Sequence, residues 1–249
     1  MRTITRREGL WSDVCELPSG GFVHVVAERF AVAAYSGSSD GAPIWRQPVA
    51  TDFLRFLRCA VSHGGEIRAI GQGGDGQAWF VGPGIAEMLG PTHGVNPVAL
   101  RHDGRRWVAY VVDRPDRYRM IQLDGESHDM PMPWSSQGIR DVLPDGAVIL
   151  GDHTYAGTFE GYGFGEYQRR NGVVVGQHGF GVGVLLEPQR HFFKARSGQT
   201  NFGVHMARST AGLAVCALTE EGAYFAEFAP PFPPHEPPPS VQPPTPPVG

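Results

Sequence analysis

The sequence predicts an all-β fold, a β-propeller of five or six blades, from two observations. Glycine (34) and proline (22) together make up about a fifth of the 249 residues, and only 18% are charged, a mixture that favours short strands joined by turns. β-rich runs are also divided by turn signals whose spacings are 44, 39, 42, 43 and 33 residues. A recurrence near 42 residues is typical of four-stranded blades. The markers are Gly21, Gly65, Gly104, Gly146, Gln189 and Gly222.

The repeated units carry their predicted strands in a common order. The third unit is the clearest, with PVALRH, RRWVAYVV and YRMIQLDG, and the second contains RFLRCAVS, EIRAI and QAWFVG. We assign GIRDVL, AVILGD, GEYQRRNG and VVVGQH to the fourth unit and VGVLLE, RHFFKARS and FGVHMA to the fifth. Only GLAVCAL and AYFAEF are left for a sixth.

Closure of the ring has two solutions at this stage. Residues 1–9 can complete a sixth unit as its outer strand, because joining the first and last blades removes exposed sheet edges. Alternatively, the ring has five blades and the last hairpin is an appendage. A β-sandwich with irregular repeats is the alternative fold.

The domain boundary follows from composition. Residues 1–228 form the predicted propeller, and residues 229–249 contain 11 of the 22 prolines. Such a run favours extended polyproline II over a sheet, because proline cannot donate a ladder hydrogen bond. We interpret it as a linker or tail that leads to a further domain or to a partner.

Charge, hydropathy and cysteine count exclude several classes of protein. A net charge of -4 gives no field for binding nucleic acid. No apolar stretch approaches a membrane span, and the N-terminus lacks the apolar core of a signal peptide, so we expect no membrane insertion and a virion or cytoplasmic location. Three widely spaced cysteines, Cys15, Cys59 and Cys216, predict buried, reduced thiols rather than a disulfide framework.

Motifs for metals and cofactors are missing or fail by context. The histidines show no HExxH or other paired spacing. Residues 71–76 match the pattern Gly-x-Gly-x-x-Gly, but QAWFVG follows instead of a helix, which predicts a hairpin turn. His128 and Asp129, in ESHDMPMPW, are interpreted as part of a solvated loop. We therefore expect no metal and no cofactor.

The segment SSDGAPIW in the first unit carries a family resemblance. Ser38, Asp40 and Trp45 match the pattern Ser-x-Asp-x-Gly-x-Thr-Trp, whereas Ala42 and Ile44 replace its glycine and threonine. The segment resembles the Asp-box, or bacterial neuraminidase repeat, of sialidase-like propellers. The resemblance implies a structural role, in which the aspartate fixes the turn before the fourth strand and the tryptophan covers the blade.

The same resemblance raises the question of glycoside hydrolysis. The sialidase family uses an Arg-Ile-Pro element that is missing here. A different glycosidase would need two or three carboxylates that converge at the ring axis. The available acids are Asp52, Asp113, Asp141, Asp152 and Glu187, and none carries a distinctive motif.

The candidate ligand site is the long loop HTYAGTFEGYGFG at residues 153–165. Aromatic residues alternate there with glycines and acids, which supplies stacking surfaces and adaptable hydrogen bonds, although the aromatics could equally plug the central channel. The candidate residues are Asp152, His153, Tyr155, Phe159, Glu160, Tyr162 and Phe164.

Two functions follow as hypotheses. The first is a non-catalytic binding, adhesion or assembly module that recognises a surface glycan or a structural partner protein, as in phage tail or receptor-binding proteins that resemble sialidases in fold. The alternative is a sialidase-like glycoside hydrolase that acts on a surface polysaccharide. Convergence of two acids beside the axis distinguishes the second from the first.

Overall fold

A computed structural model shows a protein built of β-strands. Its strands form five four-stranded antiparallel sheets and two two-stranded ribbons in the described part of the chain. No helix in that part is long and apolar enough to cross a membrane. The structure describes residues 3–37, 41–132, 138–142, 146, 148–150, 157–159, 162–164, 167–170, 173–178, 181–186, 189–194, 204–208, 212–219 and 222–228.

The strands in chain order are β1 (Thr3–Arg7), β2 (Trp11–Glu16), β3 (Phe22–Glu28), β4 (Ala31–Ser36), β5 (Trp45–Pro48), β6 (Leu54–Val61), β7 (Ile67–Gly73), β8 (Gln77–Gly82), β9 (Ile85–Pro91), β10 (Val98–His102), β11 (Trp107–Arg114), β12 (Arg117–Gln122), β13 (Ser127–Pro131), β14 (Ile139–Val142), β15 (Val148–Leu150), β16 (Gly157–Phe159), β17 (Tyr162–Phe164), β18 (Tyr167–Arg170), β19 (Val173–His178), β20 (Gly181–Leu186), β21 (Gln189–Lys194), β22 (Val204–Arg208), β23 (Leu213–Thr219) and β24 (Gly222–Phe228).

The sheets are arranged as the blades of a propeller. The first three are β2–β5, β6–β9 and β10–β13, each in chain order from the centre outward. Their first strands contact one another in turn: β2 lies against β6, β6 against β10, and β10 against β14. On the other side of the ring β18 lies against β22, and β22 lies against β2. The chain is therefore a β-propeller, as predicted, and its described inner strands belong to six sheets.

The last sheet closes the ring with strands from both parts of the chain. Its order is β22, β23, β24 and β1, so β1 is the outermost strand. The pairing of β1 with β24 runs from Thr3 opposite Glu227 to Arg7 opposite Ala223. The predicted completion of a sixth unit by the first residues is confirmed.

The assignment of strands to the fourth and fifth units was wrong. YQRR and VVVGQH form β18 and β19, which share one sheet with β20 and β21, and VHMAR forms β22, the first strand of the closing sheet. An additional hairpin, β16 and β17, follows β15 and shifts the count. The marker Gln189 therefore begins β21, the fourth strand of its sheet, and Gly222 begins β24, the third strand of the closing sheet.

Two smaller expectations have different outcomes. Gly71–Gly76 does end one strand and turn into the next, as predicted, because β7 ends at Gly73 and β8 begins at Gln77. His128 and Asp129 are instead part of β13, the outer strand of the third blade, where Asp129 accepts a hydrogen bond from Arg117 at 2.5 Å. The proline-rich residues 229–249 lie outside the described residues, and their role as a tail stays a prediction.

The apolar core lies between neighbouring sheets. Strand β3 (FVHVVAE) is buried at its first six positions, because both faces of a blade pack against other blades. One cluster joins the first two blades around Val25, Leu57 and Val81, and another joins the closing blade to the first around Phe22 and Phe225. This packing explains the continuous apolar runs in the second strands β3 and β11.

His24 is a polar exception inside this core. It is completely buried on β3, and its ring stacks on Phe225 of the closing blade with 5.3 Å between centroids. Neither ring nitrogen has a hydrogen-bond partner among the described residues. Burial, with a smaller contribution from the positive charge of Arg7, lowers the pKa of His24 to about 3.

We expect His24 to make the protein acid-labile. Its pKa rises to about 6.5 on unfolding, so the unfolded state takes up a proton first as the pH falls below that value. The resulting loss of stability is about 1.4 kcal/mol per pH unit. Chemical denaturation between pH 7.5 and 4.5 should show that the free energy of unfolding falls less steeply with pH in His24→Leu than in the wild type. The exposed His63→Leu serves as control, and an unchanged slope in His24→Leu would contradict this role.

Candidate functional site

Three of the seven residues predicted for the ligand loop lie in described strands. Phe159 ends β16, and Tyr162 and Phe164 bound β17. Phe159 is paired directly with Tyr162 across this ribbon, and Phe164 is paired with Gly157. The other four, Asp152, His153, Tyr155 and Glu160, lie outside the described residues. The ligand role of the loop stays a prediction.

The segment that resembles an Asp-box lies between β4 and β5, before the outer strand of the first blade. Ser38 and Asp40 are outside the described residues. Trp45 begins β5 and is half-buried against the core shared by the first two blades. Its position agrees with a packing role, whereas the role of the aspartate stays a prediction.

The described inner strands bring together one acid, one cation and one histidine. Asp13 on β2 accepts a hydrogen bond from the Cys59 amide of β6 at 2.8 Å. Arg58 on β6 lies 2.9 Å from Nε2 of His205 on β22, and His205 Nδ1 is 3.7 Å from Asp13. This axial cluster (Asp13, Arg58 and His205) links the second, first and closing blades.

The electrostatics of the axial cluster are dominated by burial. Burial raises the pKa of Asp13, and the attraction of Arg58 and the Cys59 amide only partly offsets it. Asp13 is buried, with 10% of its side chain exposed, and the equally buried side chain of Asp113 is paired with Arg117 and Arg119 in the third blade instead. The described partners of Asp13 are donors and cations, not the second carboxylate that sugar hydrolysis requires.

The three thiols surround this cluster. Cys216 is buried on β23, whereas Cys15 and Cys59 are half-buried, and all three are free. Burial raises the pKa of both Cys59 and Cys216, which keeps them protonated and unreactive. The described residues contain no group of three or more side chains placed to hold a metal ion.

A second arrangement of interest lies at one end of the ring, where the loops from second to third strands meet the loops between blades. These loops are joined by their main chains in the first two blades. The Phe30 amide donates to Asp52 O at 3.0 Å, and the Val49 amide donates to Phe30 O at 3.0 Å. The Gly74 amide donates to Thr51 Oγ1 at 3.2 Å. The network holds residues 29–30, 49–53 and 74–76 in one rigid surface.

Apolar and cationic side chains stand on this surface. Leu10 is 48% exposed and Phe30 is 52% exposed. Phe53 is half-buried and packs so closely that a Cβ added at Gly74 would lie 3.2 Å from its ring. The Arg29 guanidinium lies 5.4 Å from the Phe30 ring centroid, and that of Arg55 lies 4.7 Å from the Phe53 centroid. We call Leu10, Arg29, Phe30, Phe53 and Arg55 the platform.

Phe30 also has an unfavourable backbone conformation. Its φ is 60°, in the left-handed region that a bulky side chain rarely adopts. Strain of this kind costs about 1–3 kcal/mol and persists where the surroundings fix the residue. Here an exposed aromatic side chain is retained at a position where glycine would fit without strain.

We expect Phe30→Gly to stabilise the protein by about 1 kcal/mol, because the strain is relieved and little buried contact is lost. Phe56 is the matched control. It has a φ of 50° but packs edge-on against Trp11, with 5.1 Å between centroids. Phe56→Gly should lower the free energy of unfolding by about 3 kcal/mol. Urea denaturation measures the free energy of unfolding of both variants. A strong destabilisation by Phe30→Gly would contradict the strain assigned to Phe30.

Sequence reasoning missed the platform. The usual turn signals are glycine, proline, asparagine and aspartate, and the turn at Arg29 and Phe30 contains none of them. The absence of these residues from the turn at Arg29 and Phe30 was the signal that could have indicated the platform. A turn built from bulky residues is unfavourable, so its side chains are expected to have a role. The spatial neighbour Phe53 could not be assigned from spacing, because it lies in a loop between blades.

The fold and these sites define a β-propeller with a rigid, partly apolar surface at one end. No protein-family model matches the chain, and no curated protein matches it. Among solved structures, the Cps50 (Swd1) β-propeller domain of Myceliophteria thermophila is 10% identical with a TM-score of 0.48, covering 90% of this chain and 86% of that one. BBS1N in complex with ARL6DN is 14% identical with a TM-score of 0.40, covering 90% and 64%. These similarities concern the fold.

Proposed function

We propose that this propeller is a non-catalytic binding module that docks a partner protein on the platform. The observation that carries the proposal is Phe30, exposed and held at a φ of 60° by main-chain hydrogen bonds. Exposed aromatic and arginine side chains on a rigid surface are typical of interface hot spots. Because the loops are already fixed, little conformational entropy is lost on binding.

The axial cluster favours binding over hydrolysis. A glycosidase needs a carboxylic acid and a second carboxylate on either side of the scissile bond. Asp13 is instead surrounded by Arg58, His205 and a main-chain amide, which serve to satisfy a buried charge. This arrangement supports an architectural role for the centre of the ring.

Glycan recognition by the 153–165 loop is the second candidate. It is favoured by the pairing of Phe159 with Tyr162 in the β16–β17 ribbon, next to Phe164. The resemblance to sialidase-like propellers, including those of phage tail and virion proteins, points the same way. In this reading Tyr155 and Tyr162 would carry the stacking, and the platform would be dispensable.

Two parallel assays on the intact chain separate these functions. Quantitative affinity capture with crosslinking from the native host should recover a specific protein with the wild type and lose at least tenfold of it with Phe30→Gly. Met88→Ala, which removes an exposed side chain from the edge strand β9, should leave capture unchanged.

A glycan array is read in parallel for binding and for release of reducing sugar. Glycan binding that survives Phe30→Gly but is lost in Tyr155→Ala/Tyr162→Ala would replace the platform proposal with the loop. Release of sugar would overturn the non-catalytic assignment. Equal protein capture by the wild type and Phe30→Gly would also overturn the platform proposal.

A further inference from the structure

The arginines of the platform have no described carboxylate partner. Neither Arg29 nor Arg55 forms an ion pair with a residue that the structure describes, and both are exposed. Several other arginines of the first three blades are paired, whereas Arg105 and Arg114 also lack a described ion pair. Arg46 binds Glu28 at 2.7 Å, and Arg117 binds Asp113 and Asp129, each at 2.5 Å. The platform thus presents two guanidinium groups whose N–H donors meet no carboxylate among the described residues.

These guanidinium groups are also held in place. Each lies over a phenyl ring, with 5.4 Å from the Arg29 Cζ to the Phe30 centroid and 4.7 Å from the Arg55 Cζ to the Phe53 centroid, a cation–π contact that restrains the side chain. An arginine presented in this way can bind a carboxylate through two parallel hydrogen bonds. Because the ring contact already restrains the arginine side chain, less side-chain entropy is lost when the carboxylate binds.

Acidic residues near the platform do not satisfy these donors. Asp75 accepts hydrogen bonds from the Gln77 amide at 3.0 Å and from Trp79 Nε1 at 3.4 Å. Asp52 lies 3.5 Å from its neighbour Thr51 Oγ1. Both carboxylates therefore have partners within their own loops, and neither is within ion-pair distance of Arg29 or Arg55.

We infer that the platform takes an acidic protein segment, in which aspartate or glutamate side chains bind Arg29 and Arg55 while an adjacent apolar side chain contacts Phe30 and Phe53. The inference rests on the proposed function and names the chemistry of the partner. Charge complementarity carries it, because two exposed arginines beside apolar rings match carboxylates spaced around an apolar residue.

The test is a selection of random twelve-residue peptides on the intact chain, with sequencing of the enriched pool. The wild type should enrich peptides with an excess of aspartate and glutamate around an aromatic or aliphatic residue. The most enriched peptide should bind Arg29→Gln/Arg55→Gln at least tenfold more weakly, and Arg29→Lys/Arg55→Lys at an intermediate level. Arg105→Gln, an exposed arginine at the opposite end of the third blade, is the control and should bind as the wild type does.

The outcomes separate this inference from the proposed function. Enrichment of apolar peptides with no acidic excess, lost in Phe30→Gly but retained in Arg29→Gln/Arg55→Gln, would overturn the acidic partner and keep the platform. Enrichment that is identical for the wild type and Phe30→Gly would overturn both. An acidic excess that persists in Arg29→Gln/Arg55→Gln would place the anion contact elsewhere and overturn the assignment to these two arginines.

Discussion

Deletion of residues 1–7 should lower the midpoint of thermal unfolding by on the order of 10 °C or more. These residues contain β1, which pairs along its whole length with β24 and completes the closing sheet. Each lost ladder hydrogen bond removes about 1 kcal/mol, and β24 becomes an unpaired edge. Arg7 also stacks on the Tyr35 ring of the first blade at 4.2 Å, so the deletion weakens a contact between blades as well.

Circular dichroism melting combined with size-exclusion chromatography measures this effect. The matched control is a chain without residues 229–249, a deletion three times as long as that of residues 1–7. If that segment is a tail, this chain should have the same midpoint of thermal unfolding as the full chain. The deletion of β1 should also increase association between molecules through the exposed edge of β24. Equal melting of the β1 deletion and the full chain would mean that the ring is stable without closure.

Asp13→Ala should cost about 3–5 kcal/mol, because it removes one partner of a buried charged network. The Cys59 amide would lose its acceptor, and Arg58 would lose the nearest negative charge in the cluster. Asp13→Asn should cost less than about 1 kcal/mol. Its amide oxygen can still accept from Cys59, and the burial that raises the pKa of Asp13 penalises the charged form that asparagine removes.

Equilibrium unfolding in urea at pH 7 compares the two substitutions. Asp52→Ala controls for the loss of a carboxylate at an exposed position and should lie within about 0.5 kcal/mol of the wild type. The informative quantity is the difference in the free energy of unfolding between Asp13→Ala and Asp13→Asn. If both cost the same large amount, the negative charge itself stabilises the axial cluster, and the hydrogen bond to Cys59 is secondary.

The success of the fold prediction came from turn chemistry. Gly65, Gly104 and Gly146 all have positive φ, between 83° and 98°, so glycine there reports a backbone requirement and marks a hairpin. The prediction failed where the chemistry is ambiguous. Gly222 also has a positive φ, of 133°, but its turn joins the second and third strands of a blade, and nothing in the local sequence distinguishes one hairpin of a blade from another.

The candidate sites were less accessible to sequence analysis, because they are made by contacts between blades. Asp13, Arg58 and His205 are separated by 45 and 147 residues along the chain and meet only when the ring closes. Phe30 meets the 49–53 loop through two main-chain hydrogen bonds that have no sequence signature. Composition can indicate that aromatics and arginines are available, but the order of blades around the axis decides which of them are neighbours.

The closing sheet also has a consequence for synthesis of the chain. Strand β1 is synthesised before every other strand of the ring, and its partner β24 is made more than 200 residues later. At 5–20 residues per second this delay is roughly 10–45 s, during which β1 has no native partner. The sequence of β1, TITRR, ends in two arginines, and charge on an unpaired strand discourages pairing with other chains. The nascent chain thus carries a protective feature for the interval before its ring can form.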